Sequence, residues 1–314
     1  MTTFLTYTVL QTLLMIILAP LPTGIIKKVK ARFQKRRGAS IFQPYYDIIK
    51  LLKKPSVTVS ETASKIFTIT PYILLGSTLA AASFVPLTTK IPVTLPGDII
   101  VMIYTLALGG FFLTLTALDT SSTFGGMGSS RENTLTSIIE PALIIAAVAL
   151  SVYYHSTNLQ TIMTASLHSS PLSDAFHLLL LIALFMVTIA ETARIPIDDP
   201  STHLELTMIH EAMILEYSGR HLGLMELSAY LKQMIYITLI ANVFFPHDQF
   251  IMQTGVTGVI LSLAVFVVKI IVISIILGLI ETNTVKLRFF TIANYAALAV
   301  IFSLLGFICL YILK

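Results

Sequence analysis

Eight predominantly apolar stretches run through the chain, each near the roughly 20 residues that an α-helix needs to cross a bilayer. They are 4–26, 66–89, 97–118, 138–155, 175–190, 229–246, 255–280 and 289–313, the fifth being the shortest. Lipid offers no hydrogen bonds to a backbone, so runs of this kind fold as helices that satisfy themselves. The composition leaves no soluble alternative: 55% of the 314 residues are hydrophobic and 11% are charged, with a mean hydropathy of +0.87. The predicted fold is therefore an all-α integral membrane protein of eight transmembrane helices. No repeat and no Pro/Gly/Ser-rich linker divides it, so residues 1–314 are expected to form a single membrane domain. The first run has no positive residue before it and no small-residue cleavage site after it, so it is expected to be a retained helix.

The cations set the predicted orientation. Counting loops and adjoining helix ends, 17 of the 20 Lys and Arg residues fall after helices 1, 3, 5 and 7, while Lys90 and Lys314 lie opposite and Lys269 lies within helix 7. The positive-inside rule then puts those four loops in the cytoplasm and both termini outside. A basic loop and amphipathic helix are expected over 27–54. There Ile41, Tyr45, Ile48 and Leu52 follow helical spacing, and Asp47 stands among the remaining polar positions, as an interfacial helix requires.

Between the fifth and sixth runs lies a polar island, with an acidic coupling loop predicted over 191–227. It carries Glu191, Asp198, Asp199, Glu205, Glu211 and Glu216 among Leu204, Met208, Ile209, Met213 and Ile214. Asp199 as cap, Pro200 at the first position and Gly219 past the end predict one helix across the island. On it Glu205, Ile209, Ala212 and Glu216 would share a stripe, with His203 and His210 on a second face. Carboxylates in apolar company have raised pKa values, which suits proton transfer near neutral pH. Glu140, Lys269 and Glu281 add ionisable groups in or at the ends of spans, where charge is expensive and marks function.

Other chemistries are excluded. The single cysteine, Cys309, cannot bind an iron–sulfur cluster or close an internal disulfide. His-Glu at 210 and 211 lacks a second histidine four residues on, so no metal site is expected. The segment FGGMGSSRENT has no Gly-Lys-Ser/Thr and reads as a tight turn; neither nucleotide nor nucleic acid is expected as a partner.

These residues resemble a known family: the subunit called 1 or H of respiratory complex I, and its counterpart in membrane-bound energy-converting [NiFe] hydrogenases. The resemblance covers essentially the whole chain. It rests on Arg32, Gln34, Arg36 and Gly38 after the first helix, on Gly128, Ser130 and Arg131 before Glu140-Pro141, and on Glu191, Arg194, Pro196, Asp198, Glu205 and Glu216-Tyr217-Ser218-Gly219 in the island. Thr202-His203-Leu204-Glu205-Leu206 followed by Thr-Met-Ile-His-Glu-Ala-Met looks like the hydrogenase form, as does Glu281 with Lys286 and Arg288. Ala39 departs from the family, which usually has proline there.

The resemblance implies a membrane-anchor and coupling subunit of a multisubunit oxidoreductase, in the plasma membrane of a prokaryote. Its partners would be a hydrogenase-like large subunit, an iron–sulfur small subunit, antiporter-like membrane subunits and the bilayer. No cofactor is expected in this chain; iron–sulfur clusters and nickel–iron would belong to the partners. The proton path would run through Glu140, Glu191, Asp198, Asp199, Glu205, Glu211, Glu216, Lys269 and Glu281. Arg32, Gln34, Arg36, Gly38, Asp47, Arg131, Arg194, His203 and His210 would dock the redox arm. A quinone-site subunit of a complex I-like enzyme is the alternative within this class, and a stand-alone channel or secondary transporter the alternative outside it.

Overall fold

The computed structural model describes residues 2–57, 63–88, 98–167, 174–198, 208–246 and 255–312. Its elements are helical: α1 (Thr2–Leu18), α2 (Pro20–Phe33), α3 (Gln43–Lys53), α4 (Lys65–Phe84), α5 (Ile99–Asp119), α6 (Thr123–Tyr153), α7 (Leu159–Ser166), α8 (Ala175–Glu191), α9 (His210–Ile214), α10 (Gly219–Val243), α11 (Gly255–Asn283) and α12 (Phe289–Ile312). Among the described residues there is no strand beyond one isolated bridge, Asp98 to Asn158. Among the described residues six helical stretches are long and apolar enough to cross a membrane: Tyr7–Phe33, Lys65–Phe84, Ile99–Asp119, Thr123–Tyr153, Thr257–Asn283 and Phe289–Ile312. The chain is thus an all-helical membrane protein. Of the two other expected spans, α8 is apolar but 17 residues long, and α10, 25 residues long, carries Glu226 and Lys232.

Large apolar side chains face outward along the spans, such as Tyr104, Phe111, Ile260 and Val268, as helices surrounded by hydrocarbon require. Inside, α12 packs on α6 and α8, α4 on α5, α2 on α11, and α10 on both α3 and α4. Tyr236, Phe244 and Phe266 are among the largest fully buried side chains. α10 is the most enclosed element, with nearly every residue from Tyr230 to Val243 buried.

Three local expectations are corrected. Residues 27–33, expected in a loop, form the last turns of α2; Lys and Arg propagate a helix well and complement the negative end of its dipole. FGGMGSSRENT is not a turn but the opening of α6. Its glycines serve close packing instead: a Cβ on Gly125 would stand 2.5 Å from the Ala117 carbonyl oxygen, and one on Gly128 2.9 Å from the Ala212 side chain and the Ile209 oxygen. The island does not hold one helix ending at Gly219. Of the predicted helix only residues 208–219 are described; within them the single turn α9 is helical, and Gly219, at φ +53°, opens α10. There the chain is pressed against residues 55–57: Ser218 Oγ donates to the Val57 carbonyl and accepts from its N–H, at 2.8 and 2.9 Å. Asp199, Pro200, His203 and Glu205 lie outside the described residues.

The expected interfacial helix is present as α3. Ile48 is buried, Ile41, Phe42 and Ile49 are exposed, and Tyr45 donates from its hydroxyl to the Ile17 carbonyl at 2.8 Å. α3 therefore lies against the ends of α2 and α10, and it walls the site described next.

Candidate functional site

The segment after α8 aims a cation into the bundle. Ala193, at φ +50°, occupies the left-handed position just past the helix. Its N–H reaches the Ala190 oxygen at 3.2 Å, and the Arg194 N–H reaches the Ile189 oxygen at 3.0 Å. This pair of bonds is a Schellman ending, which reverses the chain and turns Arg194 inward. Arg194 is 8% exposed. Its Nη2 donates to Gln233 Oε1 at 2.7 Å and to Thr23 Oγ1 at 3.1 Å, and its Nη1 to Glu281 Oε1 at 3.4 Å. One guanidinium thus ties the loop to α2, α10 and α11. Asp198, 1% exposed, binds Lys286 Nζ at 2.9 Å through Oδ1. Its Oδ2 accepts the N–H groups of Ile209 and His210 at 3.2 and 3.0 Å.

These groups border a cavity of about 420 Å³ between α2, α3, α9 and α10. Lys27, Asp47, Asp198, Glu211 and Glu226 bring ionisable groups to it, His210 adds an imidazole, and Ile48, Leu51, Ile214 and Met225 supply an apolar wall. Burial pushes the Glu211 carboxyl up to about 7, helped by the Glu226 and Asp198 carboxylates and opposed by Lys27. Burial and then Lys232 hold the His210 imidazole down at about 4, against Asp198. Glu211 therefore exchanges its proton near neutrality, whereas His210 is neutral there. The Gln233 side chain, 1% exposed, lines this cavity, and its Nε2 has no hydrogen-bond partner among the described residues.

A second cavity, of about 290 Å³, lies between α5, α6, α8 and α10. It gathers three carboxylates, Glu132, Glu140 and Glu191, around one ammonium, Lys232. Lys232 Nζ stands 2.7 Å from Glu191 Oε2, and Tyr236 lines the same cavity. Lys232 and Tyr236, one turn apart, face this cavity. Glu226, Tyr230 and Gln233, at i, i+4 and i+7, face the other, the spacing of a single helical face. α10 is thus the common wall of both.

A third space, a cleft of about 740 Å³, lies beyond Arg194 toward Gln34, Arg36, Gly38 and Glu281. The predicted site residues therefore divide. Glu140 and Glu191 meet in the second cavity; Asp47, Arg194, Asp198, His210 and Glu211 meet at the first; Gln34, Arg36, Gly38 and Glu281 border the cleft. Arg131 donates to the Met208 carbonyl at 2.9 Å and lies over the Phe289 ring. Arg32 is exposed on α2, and Glu216 stands half-buried in the turn after α9. Lys269 is placed at the other end of α10, where its Nζ donates to the carbonyls of Ala241 and Phe245 and to Asn242 Oδ1, at 2.8, 2.7 and 3.3 Å. Sequence reasoning left out Glu132, Glu226, Lys232, Gln233 and Tyr236. Helical spacing along α10 was the signal for four of them. Among the described residues no group of three or more His, Cys, Asp or Glu could hold a metal ion.

The match that decides the lineage spans residues 5–312, which fit the family described as NADH dehydrogenase. The chain belongs to the NADH dehydrogenase family. Within it, formate hydrogenlyase subunit 4 of Escherichia coli (strain K12) is 34% identical over 285 residues, 90% of this chain and 91% of that one. Hydrogenase-4 component C of the same organism is 34% identical over 306 residues, 94% and 95% of the two chains. The fold matches a chain in the structure of the membrane-bound sulfane sulfur reductase, an archaeal respiratory membrane complex. The TM-score is 0.79 at 25% identity, over 96% of this chain and 99% of that one. The family assignment agrees with the resemblance carried by the loop after the first helix and by the acidic island.

Proposed function

We propose that this chain is the membrane-anchor and coupling subunit of a membrane-bound [NiFe]-hydrogenase-type redox complex, linking electron transfer in a docked arm to translocation of protons or sodium ions. The observation that carries the reading is the pair of charged cavities sharing α10 as a wall, with Arg194 and the Lys232–Glu191 pair on the two sides. The names of the hydrogenase-type relatives support the branch.

In this reading the chain crosses the membrane eight times, with α8 and α10 as the two further spans, the basic ends in the cytoplasm of a prokaryote and both termini outside. Arg32, Gln34, Arg36, Gly38, Asp47, Arg131, Arg194, His203 and His210 contact a large subunit and an iron–sulfur small subunit. Those partners hold the nickel–iron and iron–sulfur centres, and antiporter-like subunits continue the membrane arm. Rearrangement of the loop over 191–219 changes the proton affinity of Glu211, beside which Asp198 stands. The change passes through Glu191 and Glu140, with Lys232 and Glu132 in the same cavity. Asp199, Glu205, Glu216 and Glu281 complete the acidic set, and Lys269 secures the far end of α10.

A second reading, a quinone-site subunit, is favoured by one observation: among the described residues nothing accepts from Gln233 Nε2, at a cavity that is apolar on one side. Affinity purification of the tagged chain with its complex, followed by metal analysis, separates the two. Nickel together with iron–sulfur protein supports the hydrogenase reading, and a nickel-free, quinone-reducing complex overturns it. Glu140→Gln and Glu216→Gln in the intact complex should each abolish ion pumping; unchanged pumping in both sinks the proton path.

A further inference from the structure

The second cavity, between α5, α6, α8 and α10, has surroundings that distinguish one ion from another. Glu132, Glu140 and Glu191 line it, and Lys232 is the one cation among the described residues that line it. A cluster of carboxylates is neutralised by protons or by a small metal cation, and the two need different surroundings. A hard cation needs several oxygen atoms converging on one point. Transporters that bind sodium ions supply them from unwound backbone and helix ends, where carbonyls are free. A proton needs one carboxylate oxygen.

The backbone that walls this cavity is already hydrogen-bonded. α5, α6 and α10 run past it as helices, so the carbonyls on their walls answer the N–H groups four residues on. Pro141 lies inside α6 and has no N–H to give the Ser137 carbonyl, but Ser137 and Pro141 are both exposed and neither lines the cavity. Glu191 closes α8, and a helix end leaves carbonyls without intrahelical partners. Those of Thr188, Ile189 and Ala190 are taken by the N–H groups of Thr192, Arg194 and Ala193, at 3.1, 3.0 and 3.2 Å.

The oxygen atoms left for a cation are those of the side chains, and an ammonium already stands among them. Lys232 Nζ lies 2.7 Å from Glu191 Oε2, a contact distance that leaves no room for a second cation between them. With the lysine in place, no group of three or more acids or histidines among the described residues can hold a metal ion. The ammonium is fixed to α10, so it does not exchange with ions in solution. A sodium ion has to displace it to reach Glu191, whereas a proton adds to Glu132 or Glu140 without moving it.

We propose that Lys232 makes this cavity selective for protons: its ammonium takes the place that a sodium ion would occupy among Glu132, Glu140 and Glu191, so protons pass and sodium ions are excluded. The inference rests on the coupling reading for the cavity's place on the ion path, and it names the ion that this chain hands on. A cationic side chain at 232 preserves the exclusion, and a neutral one opens the carboxylates to sodium.

The test is equilibrium dialysis of the purified intact complex, in detergent at neutral pH, against radiolabelled sodium ions, with bound sodium counted per chain. Sodium held by partner subunits is present in every variant and cancels in the differences. Glu140→Gln should bind as much sodium as the parent. Lys232→Met should gain one sodium ion per chain, and Glu140→Gln added to it should remove that gain. Lys232→Arg, which keeps the positive charge, should stay at the parent's level. A Lys232→Met complex that gains no sodium overturns the proposal. So does a parent complex that loses a bound sodium ion on Glu140→Gln, a comparison that needs no lysine variant and stands even where Lys232→Met fails to assemble. Redox-driven proton uptake by the same complex in vesicles tests the coupling reading separately: uptake unchanged by Glu140→Gln overturns that reading alone, because sodium exclusion is measured in the resting complex.

Discussion

Arg194 offers the sharpest test of how the loop is fastened. Its guanidinium and the Glu281 carboxylate are 8% and 6% exposed and 3.4 Å apart, and Nη2 also serves Thr23 and Gln233. Removing one member of a buried pair leaves the other charge uncompensated, at about 3–5 kcal/mol. Arg194→Gln should therefore destabilise by about 3–5 kcal/mol, since it also leaves Gln233 Oε1 and Thr23 Oγ1 without their cation, and Glu281→Gln by somewhat less because Arg194 keeps those two acceptors. Replacing both with apolar residues of similar volume, Arg194→Met with Glu281→Leu, removes the uncompensated charge, and such swaps are neutral or stabilising in many buried pairs. The double variant should lie within about 2 kcal/mol of the parent, a coupling of several kcal/mol in the double-mutant cycle. SDS titration of the purified chain in mixed micelles, followed by helical circular dichroism, measures all four proteins. Additive losses would refute the claim that the pair is a single fastening.

Three further outcomes are expected. Glu211, pushed up to about 7, should show a protonated-carboxyl infrared band that disappears between about pH 6 and 8 and is absent in Glu211→Gln. Because its folded-state pKa lies above the unfolded value, the fold disfavours its ionised form: the parent should lose stability as pH rises from about 4.5 past 7, and Glu211→Gln should lose less. Gly219→Ala should destabilise strongly, well beyond the roughly 1–2 kcal/mol of a left-handed conformation, because its Cβ would stand 2.0 Å from the Pro55 carbonyl oxygen; urea- or SDS-resistant fraction after extraction reports this. Lys269→Met should cost less than half of what Arg194→Gln costs. Three hydrogen bonds are lost, but about 2.5–3.5 kcal/mol of insertion penalty for a mid-span charge is relieved, and the same SDS titration compares the two.

The positions of the helices were legible in the sequence because length and apolarity are local properties. The six long candidate spans fall on six of the eight expected runs, and α8 and α10 lie on the other two. Helix ends were less legible. Residues 123–133 look like a glycine-rich turn, yet Gly125 and Gly128 are there so that α5 and α9 can approach α6, a tertiary requirement that overrides low helix propensity. Gly219 looks like a helix stop, and its positive φ instead starts α10 against Pro55, 164 residues earlier in the chain. The acidic character of the site was visible in Glu191, Asp198 and Glu211, whereas its partition into two cavities was not. That partition depends on Lys232 meeting Glu191 and Gln233 meeting Arg194, pairings across sequence separations that no periodicity records. The lysine of the pair even counts toward the basic face in a charge tally, although it lies inside α10.

The adjacency of Lys232 and Gln233 sets the energy scale of the proposed coupling. Successive residues on a helix point about 100° apart, so one turn of α10 presents Lys232 to Glu191 in one cavity and Gln233 to Arg194 in the other. A loop movement that withdraws Arg194 from Gln233 acts on the turn that positions Lys232, and a packed turn with two arrangements converts small shifts into discrete ones. Moving one proton against about 150 mV requires about 3.5 kcal/mol, from 2.3 kcal/mol per 100 mV. Lys232 and Glu191 are partly buried, at 24% and 12% side-chain exposure, so separating them costs less than the about 3–5 kcal/mol of breaking a fully buried pair. Breaking this pair therefore contributes a share of the energy of one translocated charge, reduced by solvent screening. In the proposed coupling the remaining share falls to the other carboxylates that the loop moves, with the loop as the lever of all of them.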